Sequence, residues 1–331
     1  MIQGDLTFEE GFSETINLDG IEAVEGTIAH SGCILLRADD CTVPEPFTIS
    51  SSTLTTVNGS VHLVSFHGLK SLALPNLTTV QGGAMFQRMN NLTDLDLTQL
   101  SYVGSVILEA ERLQTLRIDG LKGFTGDQSG NGNGYVTIWN AGEVESVDGF
   151  FKNPIDSMFA EYDPVEFQLS FGANSIPKVR KLTIGWTKVT GVSIAGDDLT
   201  VILGGSSTKS MEIETLKLGI GVSGLERSSN LENLTATTLL MDSSDLVELT
   251  IPFDRLATFS ARNLGKLRTI ELPQQATNWA NLSLTTFNCS ALNLTSEYAE
   301  DSTGEKRQTW YWPEKDMRRV DLSGQISNDF L

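Results

Sequence analysis

Asp197 and Asp198 follow Gly196, and two adjacent carboxylates on a loop are the minimum equipment for cleaving a glycosidic bond. One acid protonates the leaving oxygen while the other activates water. No Gly-His-Gly follows them, and the only histidines, His30, His62 and His67, all lie far upstream. A polar turn accounts for this pair more simply, and Asp39-Asp40 has no better company. Nucleophilic acyl transfer would need a histidine beside a serine on a sharp elbow, and no Gly-x-Ser-x-Gly occurs.

Asp127-Gln-Ser129-Gly-Asn131-Gly132 opens like a calcium loop, with oxygens at alternate positions and glycine at the sixth. Its twelfth position is Ile138 rather than the bidentate glutamate that closes such a site. Gly130-Asn-Gly132-Asn-Gly134 reads instead as a flexible excursion. The strand-like Tyr135-Val-Thr-Ile138 after it rules out a nucleotide loop, which must open a helix. Gly204-Gly-Ser-Ser-Thr-Lys209-Ser210 lacks the glycine before lysine that a P-loop requires. No catalytic residue, cofactor or metal is therefore expected.

What these residues are mounted on is a repeat. The phrase Leu-x-x-Leu-x-Leu appears as Leu69/Leu72/Leu74, Leu92/Leu95/Leu97 and Leu113/Leu116/Ile118. It returns as Val179/Leu182/Ile184, Ile213/Leu216/Leu218, Leu246/Leu249/Ile251 and Leu267/Ile270/Leu272. A second phrase is interleaved: Leu54-Thr-Thr-Val57, Leu77-Thr-Thr-Val80, Leu100-Ser-Tyr-Val103 and Leu121-Lys-Gly-Phe124. Its leucines step by 23, 23 and 21 residues. Such a period means stacked turns of one unit, each burying its apolar edge against its neighbours. Helical-hairpin repeats need about 33 residues or more, so the shorter period predicts a coil of short strands.

The spacing gives the shape of one turn. In Leu95-Asp96-Leu97 apolar and polar residues alternate, as in a strand with one buried face. The three-residue step before it carries the chain round a corner, and Pro75 and Pro273 follow the strand where no ladder donor is needed. Gly59, Gly82 and Gly104 end the second phrase, where glycine is expected to supply a turn conformation closed to other residues. A leucine-rich-repeat horseshoe places Asn or Cys three positions after the last leucine. Here that slot holds Leu77, Leu100 and Leu121, so its asparagine ladder is absent. The fold class that follows is all-β, a right-handed parallel β-helix or solenoid, since parallel crossovers take that hand.

Hydrophobic residues make up 40% of the 331, enough for a continuous core. The net charge of −19 argues against nucleic acid or an anionic membrane surface as partner. No stretch approaches the roughly 20 apolar residues of a membrane span. Of three cysteines, Cys33 and Cys41 lie just before the regular repeats. A disulfide there would cap the first turn and imply an oxidising compartment. Two free thiols is the alternative, a metal pair would lack nearby partners, and Cys289 is left over. Glycosylation sequons stand at Asn58, Asn76, Asn91, Asn233, Asn281, Asn288 and Asn293. Asparagine also favours turns for its own sake, so the set speaks for secretion more than any single site does.

Leu72-Ala-Leu74-Pro75-Asn-Leu77-Thr-Thr-Val80-x-Gly82, the early cysteine pair and the dense sequons resemble repeats of the receptor L-domain type. Over roughly residues 30 to 295 the chain is similar to the fungal GPI-anchored cell-wall-organisation proteins, relatives of the sporulation-specific wall proteins. The resemblance implies a secreted, glycosylated β-helix at the plasma membrane or wall, supporting wall integrity without an enzymatic site. It also implies cell-wall polysaccharide or other wall proteins as partners. Met1-Ile-Gln-Gly-Asp-Leu6 is not a signal peptide and Gln325–Leu331 is not a hydrophobic tail. A lipid anchor is therefore expected only if the chain is incomplete.

Residues 1–45 read as an N-terminal cap, 46–295 as the coil with a looser insertion near 125–175, and 296–331 as a C-terminal cap or mobile tail. The 66 residues between Leu113 and Val179 leave room for the coil to continue through the insertion. Outward strand positions Ala73, Asp96, Arg117, Thr183, Lys217, Thr250 and Glu271 are mixed in charge and contain no aromatic ring, so this face gives no sign of a sugar platform. Trp310-Tyr311-Trp312-Pro313 is read as cover for the last apolar turn. The expected function is structural or interactive. Its rivals are a polysaccharide-active enzyme on the same fold and an intracellular solenoid scaffold.

Overall fold

A computed structural model describes residues 1–9, 12, 14–31, 45–125, 134–141, 143–154, 166–170, 178–271, 282–287, 298–300, 306–308 and 320–323. The described chain is almost entirely parallel β-structure, its helical content a short 3-10 turn at Asp148–Phe150. One long sheet carries, in order, Leu6–Phe8, Ile28–Ser31, Val61–Val64, Thr79–Gln87, Tyr102–Glu109, Tyr135–Trp139 and Glu166–Ser170. It continues through Lys188–Ile194, Ser210–Leu218, Asn233–Asp242, Arg255–Arg262, Leu282–Phe287 and Val320–Ser323. Each strand is parallel to the next. Parallel neighbours require a crossover each time, so the chain winds into a β-solenoid.

The crossovers build the other sides. Ile16–Asn17, Phe47–Ser50, Leu69–Ala73, Asp94–Asp96 and Thr115–Arg117 form a second sheet; Lys181–Ile184, Leu199–Leu203 and Val222–Arg227 form a third. Glu248–Thr250 pairs with Thr269–Glu271. Corners between sides are closed by backbone bonds three residues long. Leu69 N donates to Phe66 O (3.0 Å), Leu92 N to Met89 O (3.1 Å) and Leu113 N to Ala110 O (3.1 Å). The next corner repeats the device from Leu77 N to Leu74 O (3.1 Å) and Leu100 N to Leu97 O (3.0 Å). The turns therefore precede the first leucine of each phrase and follow its last, and the expected corner between Leu69 and Leu72 is instead part of the strand Leu69–Ala73. Phe66, Leu69, Leu72, Leu74, Leu77 and Val80 are all at most 2% exposed, part of one continuous core.

The long sheet already begins at Leu6–Phe8, inside the segment read as a cap, and reaches Val320–Ser323 in the segment read as a cap or tail. Leu-Thr-Phe is too short to show its period in sequence. Through the expected insertion the sheet continues on Tyr135–Trp139 and Glu166–Ser170. Its turns are not uniform there. The register advances 30 residues from Val106 to Val136, 31 to Phe167 and 25 to Val192, against 23 from Val61 to Ala84. Extra length enters between strands and leaves the ladder intact.

Two sequence readings need correction. The seven leucine phrases do not form one column. Leu69/Leu72/Leu74 and its next two copies mark the second sheet, whereas Ile213/Leu216/Leu218 lies in the long sheet. Every side of a coil buries alternate residues, so the phrase marks burial without marking the side. Lys217 accordingly projects from a different face than Asp96. The glycines differ too. Gly59, Gly82 and Gly104 are not among the positive-φ residues. They stack on Gly26 along the coil, Gly59 N bonding Gly26 O (2.9 Å) and Gly82 N bonding Gly59 O (2.8 Å). A Cβ on Gly104 would lie 2.8 Å from Gly82 O and 2.9 Å from Gly82 C. Glycine is required here for close approach of successive backbones. Left-handed backbone falls instead to Ser65, Arg88, Asn140, Ser243 and Asn263 (φ 53–57°), each directly after a long-sheet strand.

Candidate interaction surface

The Gly196–Asp198 loop is bound into the coil. Asp197 has its carboxylate 3.4 Å from the Arg180 guanidinium, which also donates to the Asp197 carbonyl (2.6 Å). Asp198 sits in a left-handed turn (φ 51°), and Gly196 lies against Gly221 of the next coil. Thr208 is fully buried and its hydroxyl bonds Gly185 O. The histidines are dispersed. His30 is buried flat on Phe66 (centroids 3.6 Å, planes 9° apart), His62 is exposed, and His67 is half-buried at a corner. Burial first and then the Arg88 charge hold the His67 pKa below its ordinary value, so its ring is neutral at pH 7. Among the described residues no group of three His, Cys, Asp or Glu side chains converges to hold a metal ion.

Asp39, Asp40, the Asp127–Gly132 loop, Cys33, Cys41, Cys289, Trp310–Trp312 and the sequons Asn281, Asn288 and Asn293 lie outside the described residues. The four described sequons sit on the outside of the coil. Asn58, Asn76 and Asn233 are exposed and Asn91 is half-buried. Their amides link successive turns. Nδ2 of Asn76 donates to Ser52 O (2.6 Å) and Nδ2 of Asn91 to His67 O (2.7 Å). Asn230, not a sequon, repeats the link to Ser206 O at 3.4 Å. Nδ2 of Asn58 donates to Glu25 (2.8 Å) and that of Asn233 to Ser210 (3.4 Å). Asparagines therefore do bond between turns, at positions other than the horseshoe slot.

The outward side of the long sheet carries a feature that the leucine phrases concealed. Tyr135-Val136-Thr137-Ile138-Trp139 alternates, with Val136 and Ile138 fully buried. Period two then places Tyr135, Thr137 and Trp139 together on the outside. Tyr135 is 36% exposed and Trp139 is partly so. Their Cα atoms stand about 13 Å apart along one strand, from a rise of roughly 3.3 Å per residue. Across the strands Thr137 is level with Ile107, Met85, His62 and Ala29. Trp139 is level with Glu109, whose carboxylate accepts the Arg88 amide (3.3 Å). Gln87 on the adjoining strand and the half-buried Met85 and Ile107 complete a flat patch with two rings, an apolar floor and polar edges.

Farther along the sheet the surface changes character. Lys217, Asp242 and Arg262 project there. Hydrogen bonds from Asn263 and Ser243 hold the Asp242 carboxyl below the usual range, with Lys217 and Arg262 assisting. The ring-bearing zone lies on the strand Tyr135–Trp139 and the strands before it back to Val61–Val64. The signal for it was present in sequence: two aromatics four apart around alternating β-branched residues. The leucine phrases of the same turns mark the second sheet and carry no sign of it.

Comparison with family models, with curated proteins and with solved structures yields no match to this chain. Among the described residues no helix is long and apolar enough to cross a membrane.

Proposed function

We propose that this chain is a non-enzymatic extracellular glycoprotein of the fungal cell surface that supports wall organisation and integrity, its solenoid serving as a rigid presenting body. The observation that carries the reading is the outward placement of the sequon asparagines Asn58, Asn76 and Asn233 on a coil whose apolar residues are turned inward. The repeat phrase resembles that of fungal wall-organisation proteins held by a lipid anchor, and the acidic surface suits a body that remains in solution around neutral polymers. The right hand of the coil and its kinship to receptor L-domains belong to the same proposal.

The test is an intact mass and peptide map of the protein from its native source. Glycans on Asn58, Asn76 or Asn233, a Cys33–Cys41 bridge and a lipid-bearing C-terminus are the expected result. A chain without glycans and with free thiols would overturn the surface assignment.

A further inference from the structure

We infer that the outward patch of the long sheet around Tyr135 and Trp139 binds an extended neutral polysaccharide. This rests on the surface reading above and names its partner. A pyranose ring presents apolar C–H faces and a rim of hydroxyls. Rings of Tyr and Trp offer flat electron-rich faces for the first, while Thr137, Gln87, His62 and Glu109 offer hydrogen-bonding groups for the second.

The arrangement matches a linear polymer. Tyr135 and Trp139 lie about 13 Å apart on one straight strand, and Thr137 between them has no bulk to block a chain passing over it. Two or three extended sugar residues cover that distance, so both rings can stack on one polymer. Successive strands repeat at roughly 4.8 Å, extending the apolar floor through Ile107 and Met85.

Charge selects the class of ligand. Glu109 is level with Trp139 and Glu166 is level with Tyr135, on a chain with net charge −19. A polyanion would meet repulsion from the whole body. A greasy peptide segment would desolvate Glu109, Gln87 and Thr137, at a cost a hydroxyl-rich ligand avoids. Neutral sugar satisfies both halves of the surface.

The experiment is affinity electrophoresis of the purified full chain through gels containing laminarin, glycol chitin, hydroxyethyl cellulose or mannan, with dextran sulfate as the anionic probe. Retardation in at least one of the first four is expected. Trp139→Ala and Tyr135→Ala should each weaken it about tenfold, the equivalent of one ring's contribution. Lys217→Ala, on the same sheet but away from the rings, should leave it unchanged. Thermal unfolding of each variant confirms that the coil is intact. Migration unaffected by every neutral polymer, equal retardation of parent and ring variants, or retardation by dextran sulfate alone would each overturn the proposal. Binding of the face to protease-sensitive wall material, with no response to the polymers, would assign it to a protein and overturn it equally. Because the gel uses purified chain, its failure beside a glycosylated native protein removes the platform and leaves the surface assignment standing. Success with an unglycosylated native protein does the reverse.

Discussion

Gly104→Ala separates two reasons for a glycine in a coil. Gly104 has no positive φ, so a methyl group meets no intrinsic backbone penalty. What it meets is the neighbouring turn. The added Cβ would sit 2.8 Å from Gly82 O, 2.9 Å from Gly82 C and 3.1 Å from Gln81 O, where ordinary contact begins at 3.4 Å. All three are backbone atoms of a strand locked into the ladder on both sides, so none can swing aside as a side chain would. Relief demands that two turns separate by a few tenths of an ångström, and overpacking of that kind costs about 1–3 kcal/mol. Against this, alanine restricts the unfolded chain and returns about 0.4–1 kcal/mol. The expected net loss is about 1–2 kcal/mol. Gly265→Ala is the matched control, because nothing lies within 4 Å of its Cβ position and its φ is ordinary; it should be neutral or slightly stabilising. Urea titration followed by far-ultraviolet circular dichroism measures both. Since each turn touches only its neighbours, amide exchange should quicken in Thr79–Gln87 and Tyr102–Glu109 and stay unchanged in Asn233–Asp242. Equal stability of the two variants would refute the close-approach argument.

Other expectations follow from the same geometry. Leu95 is 1% exposed; Leu95→Asp buries an unpaired charge and should abolish cooperative unfolding, a loss of several kcal/mol. Asp96→Leu forfeits the bonds to Thr98 and the exposed pair with Arg117, about 1 kcal/mol on the same titration. Burial raises the Asp148 carboxyl above its ordinary value despite the bond from Thr183 N and the charges of Lys152 and Lys181. The folded state therefore holds that proton more tightly, and stability falls as pH rises from the ordinary carboxyl value through the raised one. Asp148→Asn keeps the acceptor for Thr183, so it should melt higher than the parent at pH 7, with the gap closing in acid. Glycan occupancy should be lower at Asn91 than at Asn76 on a peptide map, because Asn91 is half-buried with both ends of its amide engaged, by His67 O and by Arg112.

How far the sequence alone reaches can be judged residue by residue. Leu69, Leu72 and Leu74 step inward three and two apart, an uneven spacing kept by a short strand with hydrogen-bonded turns at both of its ends. It identifies a strand coil without ambiguity, because a helix would repeat at 3.6 and a flat strand at two. The side of the coil on which a phrase sits is not encoded locally. Ile213/Leu216/Leu218 and Leu69/Leu72/Leu74 obey the same rule on different sheets, since the core imposes one requirement on every side. Gly59, Gly82 and Gly104 declare that something special happens there; only the stacking of turns tells whether it is a dihedral or a distance.

The surface was harder to read for a related reason. Inward residues are selected by one shared environment and repeat visibly, whereas outward ones are free to vary and leave no period. Tyr135 and Trp139 become a pair only when Val136 and Ile138 are fixed inside, and they become a platform only when Ile107 and Met85 are found level with Thr137 on neighbouring strands. Those partners lie 30 and 52 residues before Thr137 along the chain, separations set by turn lengths that themselves vary. A solenoid thus writes its scaffold in the sequence many times over and its working face once, across several turns. In such a fold the outward rows, read strand by strand against the register, are the place to look for function.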